Sequence, residues 1–206
     1  MANTCCIKGL AQSNEKDEVF YDEVYANSEK YSRHFLNSPY YPIYSKTLEI
    51  LVIKKSKVLL EAGCGCGTFS SMLTASKFPI EYCGFDFSSV GVEKAREKCP
   101  NYIFLKDNIY TTNLFDSYPY DTIVSHEVLE HLKDDLGFLR RIRPGTLFIG
   151  SVPRFDSQSH VRYFTHEQQV IFRYKNCINI EDIIALNNMY LFYGMTLGSG
   201  TRTNKL

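Results

Sequence analysis

The sequence predicts an α/β protein built on a mainly parallel β-sheet, and three observations support this. Strand-like apolar runs alternate with helical patterns between residues 57 and 151, as expected for parallel strands joined by helices. Three alternating glycines, Gly63, Gly65 and Gly67, follow the first apolar run. Near the end of the chain, two strand-like runs are separated only by Asn187 and Asn188, which favours a tight antiparallel hairpin.

The remaining elements can be placed in order from hydrophobic periodicity. Aromatic and charged residues at 19–36 predict one or two helices, and a further helix follows at about 42–53. The central part of the chain predicts strands at 57–62, 81–86, 102–106, 120–125 and 146–151, and helices at 68–76, 89–98 and 127–142. The last part predicts a helix at about 165–174 and hairpin strands at 178–186 and 189–197.

Length and composition are those of an ordinary globular protein. The 206 residues are enough for one domain with a substantial core. Lys plus Arg and Asp plus Glu both number 23, so the net charge is zero. Because dedicated nucleic-acid-binding proteins usually carry a basic surplus, the composition disfavours RNA or DNA as a partner but does not exclude a local basic patch.

The cysteines indicate a reducing compartment. There are seven, an odd number that does not fit a disulfide framework. Cys64 and Cys66 lie within the glycine-rich stretch, where packing against a ligand explains them better than metal binding. No segment has the length and apolarity of a signal peptide or a membrane span. We therefore expect a cytoplasmic protein with no membrane association.

The residues around the glycines predict a nucleotide-binding site. A strand that ends in a glycine turn before a helix presents backbone N–H groups to a ligand. A second apolar run ends at Asp86, where a carboxylate can accept hydrogen bonds from both hydroxyls of a ribose. The glycine spacing is G-x-G-x-G, which disfavours the G-x-G-x-x-G site of a nicotinamide-dependent oxidoreductase.

The chain resembles the class I S-adenosylmethionine-dependent methyltransferases, whose first motif reads much like LLEAGCGCGTF at residues 59–69. The resemblance extends over about residues 55–197. It implies a Rossmann-like seven-stranded sheet in the order 3-2-1-4-5-7-6, with strand 7 antiparallel and helices on both faces. It also implies one methyltransferase domain over residues 1–206, with an N-terminal helical lid at 1–54 and a Rossmann-like core at 55–200.

The resemblance also implies how S-adenosylmethionine would bind. The three glycines would lie against its amino-acid portion, with Glu61 supporting the loop. Asp86 would bind the ribose hydroxyls, while Phe87 and Asp107 would contact the adenine. The full set of implied cofactor-binding residues is Tyr31, Glu61, Gly63, Gly65, Gly67, Asp86, Phe87, Asp107, Asn108 and His126.

The methyl-transfer site would follow the fourth strand. Family members commonly carry a segment similar to Glu127-Val-Leu-Glu-His-Leu132 at that position, so that His126 or Glu127 would face the sulfonium. On the predicted helix, Glu127, Glu130 and His131 would share one face. Histidine titrates near neutral pH, so the candidate bases are His126, His131 and His160.

The motifs after the fourth and fifth predicted strands resemble those of two subtypes of the family. His160 lies in a segment, His-x-Arg-x-Phe-Thr, that is similar to small-molecule methyltransferases of the ubiquinone-biosynthesis type. The small-RNA 2′-O-methyltransferases are also similar, and they use two glutamates and two histidines to hold a divalent metal. The matching residues are Glu127, Glu130, His131 and His160. Both alternatives stay open, with the metal-free site favoured.

The sequence therefore predicts S-adenosylmethionine-dependent methyl transfer to an oxygen or nitrogen of a small-molecule acceptor, with S-adenosylhomocysteine as product. The alternatives are a metal-dependent RNA 2′-O-methyltransferase and a cofactor-binding, non-catalytic partner subunit. We expect a monomer or a homodimer.

Overall fold

The computed structural model describes residues 14–198, so the part of the predicted lid before residue 14 lies outside it. The helices are α1 (Glu18–Asn27), α2 (Glu29–Ser32), α3 (Tyr41–Lys54), α4 (Thr68–Ser76), α5 (Ser89–Lys98), α6 (Leu114–Ser117), α7 (Asp135–Arg141) and α8 (Glu167–Tyr174). The strands are β1 (Val58–Ala62), β2 (Glu81–Asp86), β3 (Ile103–Lys106), β4 (Thr122–His126), β5 (Leu147–Pro153), β6 (Ile178–Leu186) and β7 (Met189–Thr196).

The seven strands form one sheet in the order β3-β2-β1-β4-β5-β7-β6. β1 runs parallel to β2 and β4, whereas β7 runs antiparallel to β5 and β6. The predicted order and the predicted hairpin are therefore confirmed. In this register Ala62 pairs with Phe85 and Glu61 pairs with Val124, so the C-terminal ends of β1, β2 and β4 meet at one edge of the sheet.

The sheet is covered by helices on both faces. Leu59 and Leu60 are neighbours in β1 and are both fully buried, but they belong to different hydrophobic clusters. Leu59 packs on the side of α3, α4 and α5, together with Ile43 and Phe69. Leu60 packs on the side of α7 and α8, together with Phe138. Alternating side chains on a strand buried on both faces explain why its sequence is continuously apolar.

The N-terminal helices pack beside the carboxyl ends of these strands. α1 lies against α5, and Asp22 accepts hydrogen bonds from the Ser88 hydroxyl and the Val90 N–H at the start of that helix. Lys94 donates to the Tyr25 carbonyl oxygen. Within residues 14–198, no helix combines the length and apolarity needed to cross a bilayer.

The predicted helix at 127–142 is wrong in its first half, because α7 begins only at Asp135. Glu127 adopts a left-handed backbone conformation with φ of 53°, which ends any continuous helix at this point. The following carbonyl oxygens are engaged from a distant segment, since the Arg162 guanidinium donates to Leu129, Leu132 and Lys133. The helical face expected to join Glu127, Glu130 and His131 therefore does not exist.

We predict that Arg162→Ala destabilises the fold by about 2–4 kcal/mol, because buried carbonyl oxygens lose their donors and Asp135 loses one of its two arginine partners. Urea unfolding followed by circular dichroism measures this free energy. The matched control is Arg140→Ala, at an exposed position of α7, which should change stability by less than about 0.5 kcal/mol. Equal stabilities for the two variants would contradict the structural role of Arg162.

Candidate functional site

A cavity of about 620 Å³ lies at the C-terminal ends of β1, β2 and β4. The glycine-rich loop after β1 forms one part of its wall, and the segments after β2, β3, β4 and β5 form further parts. α1, α2 and the start of α3 cover it with aromatic side chains, which are Tyr21, Tyr25, Tyr31, Tyr40 and Tyr44.

The glycine loop is built from left-handed backbone that a side chain would obstruct. Gly63, Gly65 and Gly67 have φ values of 81°, 48° and 68°. A Cβ atom on Gly63 would lie 2.4 Å from a Val128 methyl, which accounts for glycine at this position. Gly63 and Gly65 line the cavity. The cavity lining does not include Gly67, which instead allows close packing of the loop on Ala95 of α5.

Asp86 connects this loop to the end of β2. Its Oδ2 accepts a hydrogen bond from the Gly65 N–H at 2.9 Å, and its Oδ1 accepts one from the Ser88 N–H at 2.9 Å. Burial raises the pKa of Asp86 to about 6, although these two hydrogen bonds oppose the shift. Each carboxylate oxygen can accept a further hydrogen bond. Asp86 can therefore hold the glycine loop and bind a ligand hydroxyl at the same time.

Glu61 lies beneath the loop and lines the cavity. It is 3% exposed, and its Oε2 accepts a hydrogen bond from the Tyr82 hydroxyl. Burial raises the pKa of Glu61 from its ordinary value of 4.5 to about 8, and the Tyr82 hydrogen bond opposes that shift. The carboxyl group is therefore largely protonated at neutral pH, and a nearby cation would favour its ionised form.

Phe87, Asp107 and Asn108 also line the cavity. The Phe87 ring lies 5.4 Å from the Tyr21 ring. Asp107 accepts hydrogen bonds from the Thr112 hydroxyl and the Asn108 N–H, at 2.5 and 2.7 Å. These bonds fix the orientation of the Asp107 carboxylate at the edge of the cavity.

Among the covering tyrosines only Tyr31 was a predicted site residue, and Tyr21 and Tyr25 are two of those that were missed. A Cβ atom on Gly65 would lie 3.1 Å from the Tyr25 hydroxyl, and one on Gly91 would lie 3.0 Å from the Tyr25 ring. The Tyr25 ring therefore lies directly over the glycine loop. The i, i+4 spacing of the two tyrosines places them on one face of α1, which is the sequence signal that identifies them. Tyr31 lines the cavity beside Tyr25, with 5.3 Å between the ring centroids.

His126 and Glu127 lie at the end of β4, and both line the cavity. The His126 ring is 5.4 Å from Tyr44 and 5.0 Å from Phe69, and its Nε2 is 2.8 Å from the Thr47 hydroxyl. Burial lowers the pKa of His126 to about 3, so the ring is neutral. Glu127 accepts a hydrogen bond from the Ser151 hydroxyl at 2.8 Å, and burial raises the pKa of its carboxyl group.

The structure brings Glu130, His131 and His160 together, with their possible ligand atoms within 4.8 Å of one another. His131 Nδ1 lies 2.8 Å from the Ser159 carbonyl oxygen, and His131 Nε2 lies 3.5 Å from Glu130 Oε1. Burial lowers the pKa of His131 to about 4 and raises that of Glu130 well above its usual range. Two imidazoles and one carboxylate are ligands that fit a divalent metal ion, whereas the fourth predicted ligand, Glu127, lies outside this cluster.

Comparison with known proteins supports the resemblance to methyltransferases. Residues 60–146, which contain the glycine loop, Asp86 and the segment after β4, match the family model described as a methyltransferase domain. This part of the chain is therefore a methyltransferase domain. The family resemblance stated from the sequence is confirmed, whereas the ubiquinone-biosynthesis-like subtype is not established.

Solved structures show the same fold at low sequence identity. The N-methyltransferase NodS from Bradyrhizobium japonicum WM9, in complex with S-adenosylhomocysteine, is 16% identical with a TM-score of 0.66, covering 87% of this chain and 97% of NodS. Magnesium protoporphyrin IX methyltransferase from Synechocystis PCC 6803, with bound S-adenosylmethionine, is 16% identical with a TM-score of 0.63, and the match covers 89% of this chain and 98% of that enzyme. The methyltransferase domain of bacterial CtHen1-C is 18% identical with a TM-score of 0.60, and the match covers 76% of this chain and 97% of that domain. No curated protein matches the sequence significantly.

We predict that the stability of the ligand-free protein falls as the pH rises from about 5 to 8, and that Glu61 causes part of this fall. Unfolded Glu61 releases its proton near 4.5, whereas the folded protein retains it up to about 8, so the native state binds more protons across this range. One such group contributes a slope of at most about 1.4 kcal/mol per pH unit. Glu61→Gln should flatten the slope in urea titrations at several pH values, whereas Glu97→Gln, on the exposed side of α5, should not. An unchanged slope in Glu61→Gln would contradict the pKa assignment.

Proposed function

We propose that this methyltransferase transfers the methyl group of S-adenosylmethionine to an oxygen or nitrogen of a small-molecule acceptor. One observation carries the proposal: a single cavity contains both the glycine loop with Asp86 and the buried residues after β4. Its volume of about 620 Å³ falls within the range of roughly 300–1,000 Å³ typical of small-molecule sites. Aromatic rings and a few polar groups line it, as is usual for such sites.

For the cofactor, we propose that the loop at Gly63 and Gly65 receives the amino-acid portion. Asp86 binds the ribose hydroxyls with the acceptor capacity left after its bonds to the loop and to Ser88. Phe87 and Asp107 lie where they can contact the adenine. The neighbouring carboxyl group of Glu61 favours the positively charged cofactor over a neutral analogue.

The reaction is an in-line displacement at the methyl carbon. A lone pair on the acceptor forms the new bond to that carbon, and the bond from carbon to sulfur breaks, leaving its electron pair on sulfur. Most of the acceleration comes from holding the two reactants in line and free of water. The proton lost by an oxygen acceptor needs a base, and His131 and His160 are candidates because burial lowers both pKa values and keeps the rings neutral.

We propose that the N-terminal residues act as a lid over the cofactor half of the cavity. Glu15 accepts hydrogen bonds from the Tyr110 hydroxyl and the Lys133 N–H. Glu18 pairs with Lys106 at 2.6 Å, and Asp22 binds the start of α5. The Glu15 bonds and the Glu18–Lys106 pair are exposed to solvent, so breaking them costs far less than unfolding the core.

We also propose a cytoplasmic location. The five cysteines within the described part of the chain are free thiols, and all are buried. Free thiols in this number are typical of a reducing compartment.

We predict that Asp86→Asn weakens S-adenosylhomocysteine binding by roughly 1–3 kcal/mol, because charge-assisted bonds to a buried ligand are lost. Isothermal titration calorimetry measures this, and Asp116→Asn, an exposed position in α6, is the matched control. The wild-type protein should not bind NAD. Binding of NAD without binding of S-adenosylmethionine or its product would overturn the proposed function.

A second candidate is a metal-dependent RNA 2′-O-methyltransferase, and the cluster of Glu130, His131 and His160 is the observation that favours it. These three residues would hold the ion. A divalent ion there would orient an acceptor hydroxyl and lower its pKa. The Ser159 carbonyl oxygen is not itself a metal ligand, but it orients the His131 ring. It would therefore fix the position of His131 as a ligand of the ion.

We predict that the metal-free protein is the functional form. Titration of chelator-treated protein with Mn²⁺ or Co²⁺, followed by calorimetry and by Co²⁺ absorption, should show no stoichiometric binding. The comparison variant is His160→Ala. Stoichiometric binding that disappears in this variant would establish the second candidate's metal site instead.

A further inference from the structure

We propose that the methyl acceptor is an alkylamine, bound as its ammonium ion between the carboxyl groups of Glu127 and Glu130 and the rings of Tyr31 and Tyr40. This inference rests on the proposed function and names the substrate class of the same cavity.

The first support is an unsatisfied buried carboxyl group. Glu130 is fully buried and lines the cavity. Neither of its side-chain oxygens has a hydrogen-bond partner among residues 14–198. A carboxylate in such a place is costly unless a donor or a cation meets it. An ammonium group supplies both the charge and up to three N–H donors.

Glu127 supplies a second carboxyl group for the same ammonium ion. It also lines the cavity, and its left-handed backbone, with φ of 53°, turns the chain at the end of β4. Non-glycine residues in this conformation are concentrated at functional sites. The two carboxyl groups line the same cavity and interact electrostatically. One cation between them would remove that repulsion.

The second support is that the tyrosine faces already hold an ammonium group. The Lys30 Nζ lies 5.2 Å from the centroid of the Tyr31 ring and 5.2 Å from that of the Tyr40 ring. Attraction between a cation and an aromatic face operates within about 6 Å. Lys30 is an exposed residue of α2 at the rim of the cavity. Its side chain shows that this pair of rings accommodates an alkylammonium ion, and Lys30 acts electrostatically on Glu127. The ammonium ion of the acceptor would take the place of the exposed Lys30 side chain.

The charge distribution of the cavity also disfavours an anionic acceptor. The described residues that line it include no arginine, and its lysines are Lys16, Lys30 and Lys133. The ring of His126 is neutral because burial lowers its pKa to about 3. A carboxylate or phosphate at the reacting position would therefore face two glutamates, since the buried Arg162 acts on Glu130 from outside the cavity lining.

The ammonium ion must lose one proton before it reacts. This proton passes from nitrogen to a carboxylate oxygen of Glu127, leaving a neutral amine with a free lone pair. That lone pair forms the bond to the methyl carbon, and the bond from carbon to sulfur breaks with its electrons on sulfur. The products are the methylated ammonium ion and S-adenosylhomocysteine, and Glu127 then returns its proton to water.

The experiment compares three probes of equal shape and different charge, namely benzylamine, benzyl alcohol and benzoate. Each is titrated into full-length protein saturated with S-adenosylhomocysteine, and binding is followed by calorimetry or ligand-observed NMR. We expect benzylamine to bind at least about tenfold more tightly than either analogue, since charge-assisted bonds exceed neutral ones. Glu130→Gln should remove most of this preference, whereas Glu49→Gln, an exposed residue of α3, should retain it.

Two tyrosine variants test the aromatic contribution independently. Tyr40→Phe keeps the ring face and should keep the preference, whereas Tyr40→Leu should reduce it. Equal binding of the three probes, or tighter binding of benzoate, would overturn the inference. Stoichiometric Mn²⁺ binding that depends on Glu130 would do the same. Binding of S-adenosylhomocysteine in the same samples separates these outcomes, because its loss would point to failure of the proposed function itself.

Discussion

The arrangement of the site depends on the buried guanidinium of Arg162. It donates to the carbonyl oxygens of Leu129 and Leu132, and it lies 3.2 Å from the Asp135 carboxylate. These bonds engage carbonyl groups that would otherwise continue a helix from the end of β4. Arg162 therefore keeps this segment in irregular turns. Its position in the chain, two residues after His160, also brings that histidine beside Glu130 and His131, which are far away in the sequence.

Local patterns predicted most of the fold. The helix at Thr68–Ser76 was predicted with these bounds, because its start follows a glycine turn and its periodicity is clear. The hairpin was equally predictable from the sequence, since Asn187 adopts the positive φ that such a turn requires. The order of the strands came from the family resemblance, because periodicity gives no information about which strands are neighbours.

The site was less predictable, since its geometry depends on contacts between distant residues. The sequence from Glu127 to Leu132 has helical spacing, but the left-handed φ of Glu127 and the bonds from Arg162 prevent that helix. Gly67 belongs to the same motif as Gly63 and Gly65 but packs against Ala95 rather than lining the cavity. The role of Tyr25 depends on how α1 packs on the core. No motif in the sequence specifies that arrangement.

Ser88 contacts both Asp86, on the wall of the cavity proposed to bind the cofactor, and the covering helix α1. Its N–H binds Asp86, and its hydroxyl donates to Asp22 in the covering helix. A movement of α1 therefore changes the surroundings of the residue proposed to bind the ribose. Since product leaves after every turnover, the proposed opening of α1 as a lid would couple the residence time of S-adenosylhomocysteine to this movement. Turnover can then be limited by departure of the spent cofactor rather than by the chemical step.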